Sequence, residues 1–207
     1  SYPLSGSHST AVNRAGEAAI PLEASGKRFT LIVRVYNDGI ALRYTLPEGS
    51  AYINEESTAL RIPGNTSKVA WSDFSSCYEE LSHVTSPDKI PADKPIMAPV
   101  TIRAGKYYLS VSEADCENFS DMALSRNGDV LRVIYPFAQQ GWKIERRSDN
   151  GPQTLNGTYK GQKVSPWRTV IIARNLTDLV NSDLIMNVCP APAAASDFSW
   201  VKPVRCL

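Results

Sequence analysis

The sequence predicts an all-β protein built as a large β-sandwich. Three observations point there: a strong hairpin signature near the amino end, roughly eight to twelve short strand patterns separated by turn signals, and almost no helical periodicity. The hairpin is residues 28–46, RFTLIVRVYNDGIALRYTL. Phe29, Leu31, Val33 and Val35 alternate with Thr30, Ile32, Arg34 and Tyr36, and after Asn37-Asp38-Gly39 the apolar set resumes at Ile40, Leu42, Tyr44 and Leu46. Alternation on both sides of an Asp-Gly turn is a strong short-range hairpin signal. Two registers are open. Centring the turn on Asp38-Gly39 opposes Val35 to Leu42 but also sets Arg34 against Arg43, an unfavourable like-charge pair. Centring it on Asn37-Asp38 separates the arginines. Both bury the same side chains, so Leu31, Val33, Val35, Leu42 and Tyr44 are expected in the core, together with Val170 and Ile172.

The remaining elements follow in order. Residues 1–15 are polar and irregular, and 18–22 form a short apolar run suited to a sheet edge. After the hairpin, residues 50–62 read as a strand with a turn at Pro63-Gly64-Asn65, and Val69-Ala70-Trp71 is brief and extended. Residues 82–99 contain Pro87, Pro91, Pro95 and Pro99, a density that predicts a long loop without helix or central strand. Residues 97–103 and 106–112 form a second hairpin around Ala104-Gly105. Residues 130–135 are a strand, 142–145 another, and 149–163 a polar surface loop. WRTVIIA, residues 167–173, is a continuous apolar run of strand length, which implies burial on both faces. Residues 177–182 suggest one helical turn capped by Thr177, residues 184–188 a last strand, and CPAPAAA a linker.

A chain of 207 residues fits one all-β domain. Its net charge of +1 supplies no basic patch for nucleic acid. No apolar run approaches the roughly 18 residues of a membrane span. Ser1-Tyr2-Pro3 lacks the features of a signal peptide, which suggests a mature protein or an excised fragment. Cys77, Cys116, Cys189 and Cys206 show no CxxC spacing, arguing against zinc or a thioredoxin-like motif. Three full disulfide connectivities and free thiols all remain open. His8 and His83 are too few for a histidine-rich metal centre.

No G-x-S-x-G, H-E-x-x-H or phosphate loop occurs. Two acidic clusters do: Cys77-Tyr78-Glu79-Glu80, and Glu113-Ala114-Asp115-Cys116-Glu117. Adjacent carboxylates suit calcium or glycoside chemistry, and equally a solvated turn, which spacing alone favours. Trp71, Trp142, Trp167 and Trp200 could stack on sugars, though packing is the commoner use of tryptophan in a sandwich. Four Asn-x-Ser/Thr sequons, at Asn65, Asn118, Asn156 and Asn175, are near chance for this composition.

The order of segments resembles the amino-terminal domain of glycoside hydrolase family 97. The carriers are GKRFTLIVRVYNDGIALRY, SCYEE, YYLSVSEADCENFSDMAL, SPWRTVIIARNLTDLVNSDLIMNVCPAP and SWVKP. The resemblance implies a β-super-sandwich, similar to galactose mutarotase, over residues 1–190. Residues 191–207 would then be a linker toward a (β/α)8 barrel that this chain lacks. It implies an α-glucosidase or α-galactosidase family that uses calcium and is periplasmic or secreted, with a carbohydrate as partner and neither nucleic acid nor membrane. It carries over one metal-binding residue, Glu79, with Glu80 as the alternative. Catalytic carboxylates would come from the barrel, so this chain alone is expected to be inactive and to lack a tight calcium site. Trp71 and Phe74 are expected to be unusually exposed beside Glu79. A stand-alone carbohydrate-binding module or a structural interaction domain are the competing readings.

Overall fold

The structure is a computed structural model, and it describes residues 1–3, 8–24, 26–46, 56–75, 80–116, 119–135 and 163–190. Its strands are β1 (Tyr2–Pro3), β2 (Thr10–Ala11), β3 (Gly16–Ala24), β4 (Lys27–Tyr36), β5 (Gly39–Leu46), β6 (Ala59–Arg61), β7 (Thr66–Asp73), β8 (His83–Thr85), β9 (Ile96–Ala104), β10 (Tyr107–Ala114), β11 (Ala123–Asn127), β12 (Val130–Ile134), β13 (Lys163–Val164) and β14 (Trp167–Ala173). Two one-turn helices follow, α1 (Leu176–Val180) and α2 (Leu184–Val188). Twelve of the strands join one sheet in the order β3-β4-β5-β14-β10-β9-β11-β12-β6, with β13 on β5 and β7 bridging β8 and β9. The sheet curls into a half-barrel, an all-β super-sandwich.

The β4–β5 hairpin adopts the register centred on Asn37-Asp38: Val35 opposes Ile40, Val33 opposes Leu42 and Leu31 opposes Tyr44. The two arginines are thereby not direct cross-strand partners. Arg34 lies opposite Ala41 and reaches Glu17 at 2.6 Å, and Arg43 lies opposite Ile32 and reaches Asp115 at 3.1 Å.

Burial on this hairpin differs from expectation. Val35 is 53% exposed and Ile172 39%, while Leu31, Val33, Leu42, Tyr44 and Val170 are only half-buried. The opposite face carries the packing, with Tyr36, Ala41, Trp167 and Ile171 closed over by Leu184 and Val188 of α2. The physical reason is which side is covered. Among the described residues, the helices fold back over that opposite face, and nothing comparable seats on the other at the β3–β4–β5 end. The less covered face does become a core further along the sheet. From Val170 it runs to Val111 and Val100, opposite partners in turn, and to Ile102, which opposes Leu109. There the curl closes it into the main cluster with Val69, Ile96, Leu124 and Leu131.

β14 lies between β5 and β10. Trp167, Arg168, Thr169, Ile171 and Ala173 are buried, which explains its unbroken apolar run. Three local expectations fail. Residues 184–188 form α2, not a strand: Leu184, Asn187 and Val188 fall on one buried side at helical spacing. Residues 82–99 are not one loop, since they hold β8, a 3₁₀ turn at Pro87–Lys89 and the start of β9. Pro99 sits inside β9, a strand with neighbours on both sides. It is tolerated because the β7–β9 register shifts between Ala70 and Ser72, so no ladder partner there requires its missing N–H. The helical turn near 177 is α1, and its cap is Asn175, whose side chain accepts from the Asp178 N–H at 2.8 Å, not Thr177. In the stretch 50–62 the described strand is β6. The strand expected at 142–145 and the loop at 149–162 lie outside the described residues.

Candidate functional site

The carboxylate singled out by sequence sits in the connection between β7 and β8. Glu79 itself lies outside the described residues, as do Cys77 and Tyr78, while Glu80 is exposed in the connection, three residues before β8. The hairpin stem beside it is well ordered by side-chain contacts. Val69 opposes Thr85, Ala70 opposes Val84 and Trp71 opposes His83. Trp71 and His83 stack with ring centroids 4.3 Å apart. The Trp71 indole N–H donates to Thr85 Oγ1 at 3.0 Å, His83 Nε2 lies 3.1 Å from Asp73 Oδ2, and the Ser72 and Ser82 hydroxyls meet at 3.2 Å.

These contacts correct one expectation. Trp71 is only 7% exposed and belongs to the main core cluster, and Phe74 is half-buried. The indole is inward because β7 packs on β9, so its ring closes the core, and His83 covers its remaining side. What this place does offer to a ligand is the half-exposed His83–Asp73 pair. Sequence reading had not joined those two residues.

The second acidic stretch is not a solvated turn. Glu113 and Asp115 are both largely buried, and each holds an arginine. Glu113 projects from β10 opposite Arg168 of β14. The Arg168 Nη1 donates to Glu113 at 2.5 Å, while its Nε and Nη2 donate to Glu56 at 2.9 and 2.7 Å, and the Tyr135 hydroxyl donates to Glu56 at 2.8 Å. Glu113 also accepts from the Met122 N–H at 2.8 Å. Burial pushes the Glu113 carboxyl above its ordinary value, against the pull of Arg168. Burial acts on Glu56 in the same sense, but its bonds from Arg168 and Tyr135 outweigh it and hold that carboxyl low. Every member of this network is tied to a partner, so it is built for holding β14, β10 and residue 56 together. It has no free carboxylate to accept or deliver a proton.

Trp167 is fully buried, with the Arg34 and Arg43 guanidinium carbons 4.7 and 4.4 Å from its ring centroid. It is a packing residue. Trp142 and Trp200 lie outside the described residues. Among the described residues, no group of three or more His, Cys, Asp or Glu is arranged to hold a metal ion, and no helix is long and apolar enough to cross a membrane. The hard oxygen of Glu80 is of the type calcium takes, but calcium needs about six to eight such oxygens.

A family model described as "Glycosyl-hydrolase 97 N-terminal" matches residues 1–190. A curated relative, a "Probable retaining alpha-galactosidase" of Streptomyces bingchenggensis (strain BCW-1), is 27% identical over 183 residues, covering 86% of this chain and 25% of its own. A solved structure described as a Glycoside Hydrolase Family 97 enzyme in complex with acarbose, from Pseudoalteromonas sp. strain K8, superposes with a TM-score of 0.72 at 22% identity. The match covers 96% of this chain and 29% of that one. A β-arabinopyranosidase crystal structure gives a TM-score of 0.72 at 24% identity, covering 92% of this chain and 32% of that one. At these identities the structural likeness carries the fold. The chain spans about a quarter to a third of the length of the relatives it matches.

Proposed function

The chain belongs to the glycosyl-hydrolase 97 N-terminal family, and from that premise we propose that it forms the carbohydrate-cleft domain of a periplasmic or secreted family 97 glycoside hydrolase acting on an α-glucoside or α-galactoside. The match over residues 1–190 is the observation that carries this reading. In it, Glu79 lends one carboxylate to a calcium ion, with Glu80 as the alternative, and the other ligands come from a (β/α)8 barrel reached through residues 191–207. Calcium bound there would fix and polarise oxygens of the sugar or of water. The part of this chain is to hold a carboxylate at the mouth of the β7–β8 hairpin, braced by the Trp71–His83 stack. Glycoside cleavage needs two carboxyl groups flanking the bond, about 5 to 10 Å apart. In this reading both come from the barrel, and the Arg168 network of this chain serves to hold the fold.

The partly covered sheet face fits the same reading. Val35 and Ile40 oppose each other on β4 and β5, Ile172 lies two residues past the β14 partner of Ile40, and all three are exposed apolar side chains. An apolar patch of this kind suits a surface against which further polypeptide seats.

The purified chain should show no turnover of nitrophenyl α-glucoside or α-galactoside above a mutant control. Calorimetry should find calcium binding no tighter than roughly millimolar. Measurable turnover, or micromolar calcium binding abolished by Glu79→Ala, would mean that the site is complete within this chain and would overturn the proposal.

A further inference from the structure

Asp73 closes β7 and His83 opens β8, and their side chains meet across the neck of the hairpin. Both backbones are fixed by the sheet. Asp73 opposes Ile96 of β9, a fully buried residue, and the next N–H, that of Phe74, donates to the Pro95 carbonyl at 3.3 Å. His83 opposes Trp71, and the two rings stack with 29° between their planes. The indole under the imidazole is itself pinned by its N–H on Thr85 Oγ1. The stack therefore sets the plane of the His83 ring, and Asp73 Oδ2, 3.1 Å from Nε2, sets its rotation in that plane. A carboxylate beside Nε2 keeps the hydrogen on that nitrogen, so in the neutral ring Nδ1 is an acceptor. Among the described residues, neither Nδ1 of His83 nor Oδ1 of Asp73 has a further partner. The two side chains are 42% and 48% exposed. An ion pair this open adds little to stability. What it does provide is two acceptors held in fixed positions on strands and open to solvent.

We propose that the His83–Asp73 pair is a sugar subsite, at which Nδ1 and Oδ1 accept hydrogens from two hydroxyl groups of one pyranose ring. The assignment rests on the carbohydrate-cleft reading above and deepens it, by naming side chains of this chain that touch the sugar. The ligand chemistry follows from the pair: two neighbouring acceptors call for two donors on one rigid body, and a pyranose carries several. Trp71 is the positioning residue. It is buried, so it meets no sugar, and its part is to hold the imidazole in place.

The test is a two-dimensional amide NMR titration of the full chain with methyl α-D-glucopyranoside and with methyl α-D-galactopyranoside. At least one of the two should give a saturable shift of the Trp71 indole N–H and of the Asp73 and His83 backbone amides. His83→Phe keeps a ring on the indole and removes both nitrogens, and Asp73→Ala removes the carboxylate. Each variant should retain the dispersed spectrum of a folded chain and lose the saturable shift. A pair that only closes the hairpin would give no sugar-dependent shift at these three residues in the unsubstituted chain, and that result overturns the proposal. It is overturned equally if the shift survives in either variant. Saturable shifts confined to other residues would sink this subsite and leave the carbohydrate-cleft reading standing, whereas that reading fails on turnover or tight calcium binding by the chain.

Discussion

Arg168 spends its whole guanidinium on two carboxylates, Glu56 and Glu113, inside the fold. Removing it strands two buried charges, the costly way to break an ion pair. Arg168→Met should therefore lower the unfolding free energy by about 3–5 kcal/mol in urea titration. The two carboxylates give opposite pH dependences. Glu56 is held low, so its contribution is present above its unfolded pKa and is lost as pH falls through the lower folded value. Glu113 is pushed up, so its contribution is full below its ordinary 4.5 and is lost as pH rises through the raised folded value. Glu113→Gln should accordingly flatten the decline of stability measured as the pH rises above the ordinary Glu113 value of 4.5. A steeper decline in that variant would contradict the assignment. None of this was legible in the sequence. Glu113 stands among acidic neighbours that look like a solvated turn, and Glu56 lies 112 positions from the arginine it binds. Local pattern carries no information about such a partner.

Among the elements, the β4–β5 hairpin was the most legible, because alternation and turn chemistry are local signals. Of the two registers, the structure takes the one in which Arg34 and Arg43 are not directly opposed. The buried face was not legible, since both faces of this hairpin carry apolar groups and the covering helices arrive from residues 176–188. Residues 184–188 misled for a related reason, because a five-residue apolar run fits either period. The turn is seated tightly against those late elements. A Cβ at Gly39 would come within 2.2 Å of the Val170 carbonyl oxygen and 2.6 Å of Leu184 Cδ1. Gly39→Ala should cost about 1–3 kcal/mol by denaturant unfolding, through overpacking. Asn187 ties the amino end to α2: its carboxamide accepts from the Tyr2 hydroxyl at 2.9 Å and donates to the Val12 carbonyl at 3.2 Å. Asn187→Ala should release both and destabilise by about 1–3 kcal/mol, seen as early loss of amide protection at residues 2–13.

For the molecule as a whole, the curl of the sheet divides one continuous face into a closed core and a partly covered flank. Substitutions should report that division. Val35→Thr and Ile172→Thr should change stability by no more than about 0.5 kcal/mol, while Ile171→Ala, one residue away but on the covered face, should cost about 2–5 kcal/mol. Equal effects at 171 and 172 in parallel urea titrations would mean that the faces are assigned wrongly.

The position of β14 also sets a timetable for biosynthesis. It is the strand that joins β5 to β10, yet roughly 120 residues separate it from β5 along the chain. At ribosomal speeds that interval is about 6 to 25 s. Throughout it, the nascent hairpin holds an unpaired edge from Gly39 to Leu42, and Ala41 and Tyr36 have no Trp167, Ile171 or Leu184 to bury them. An open edge beside bare apolar groups is a template for wrong pairing. Strand order alone therefore makes the half-synthesised chain a natural client for holding chaperones, and its yield on overexpression should improve when translation is slowed or the growth temperature lowered.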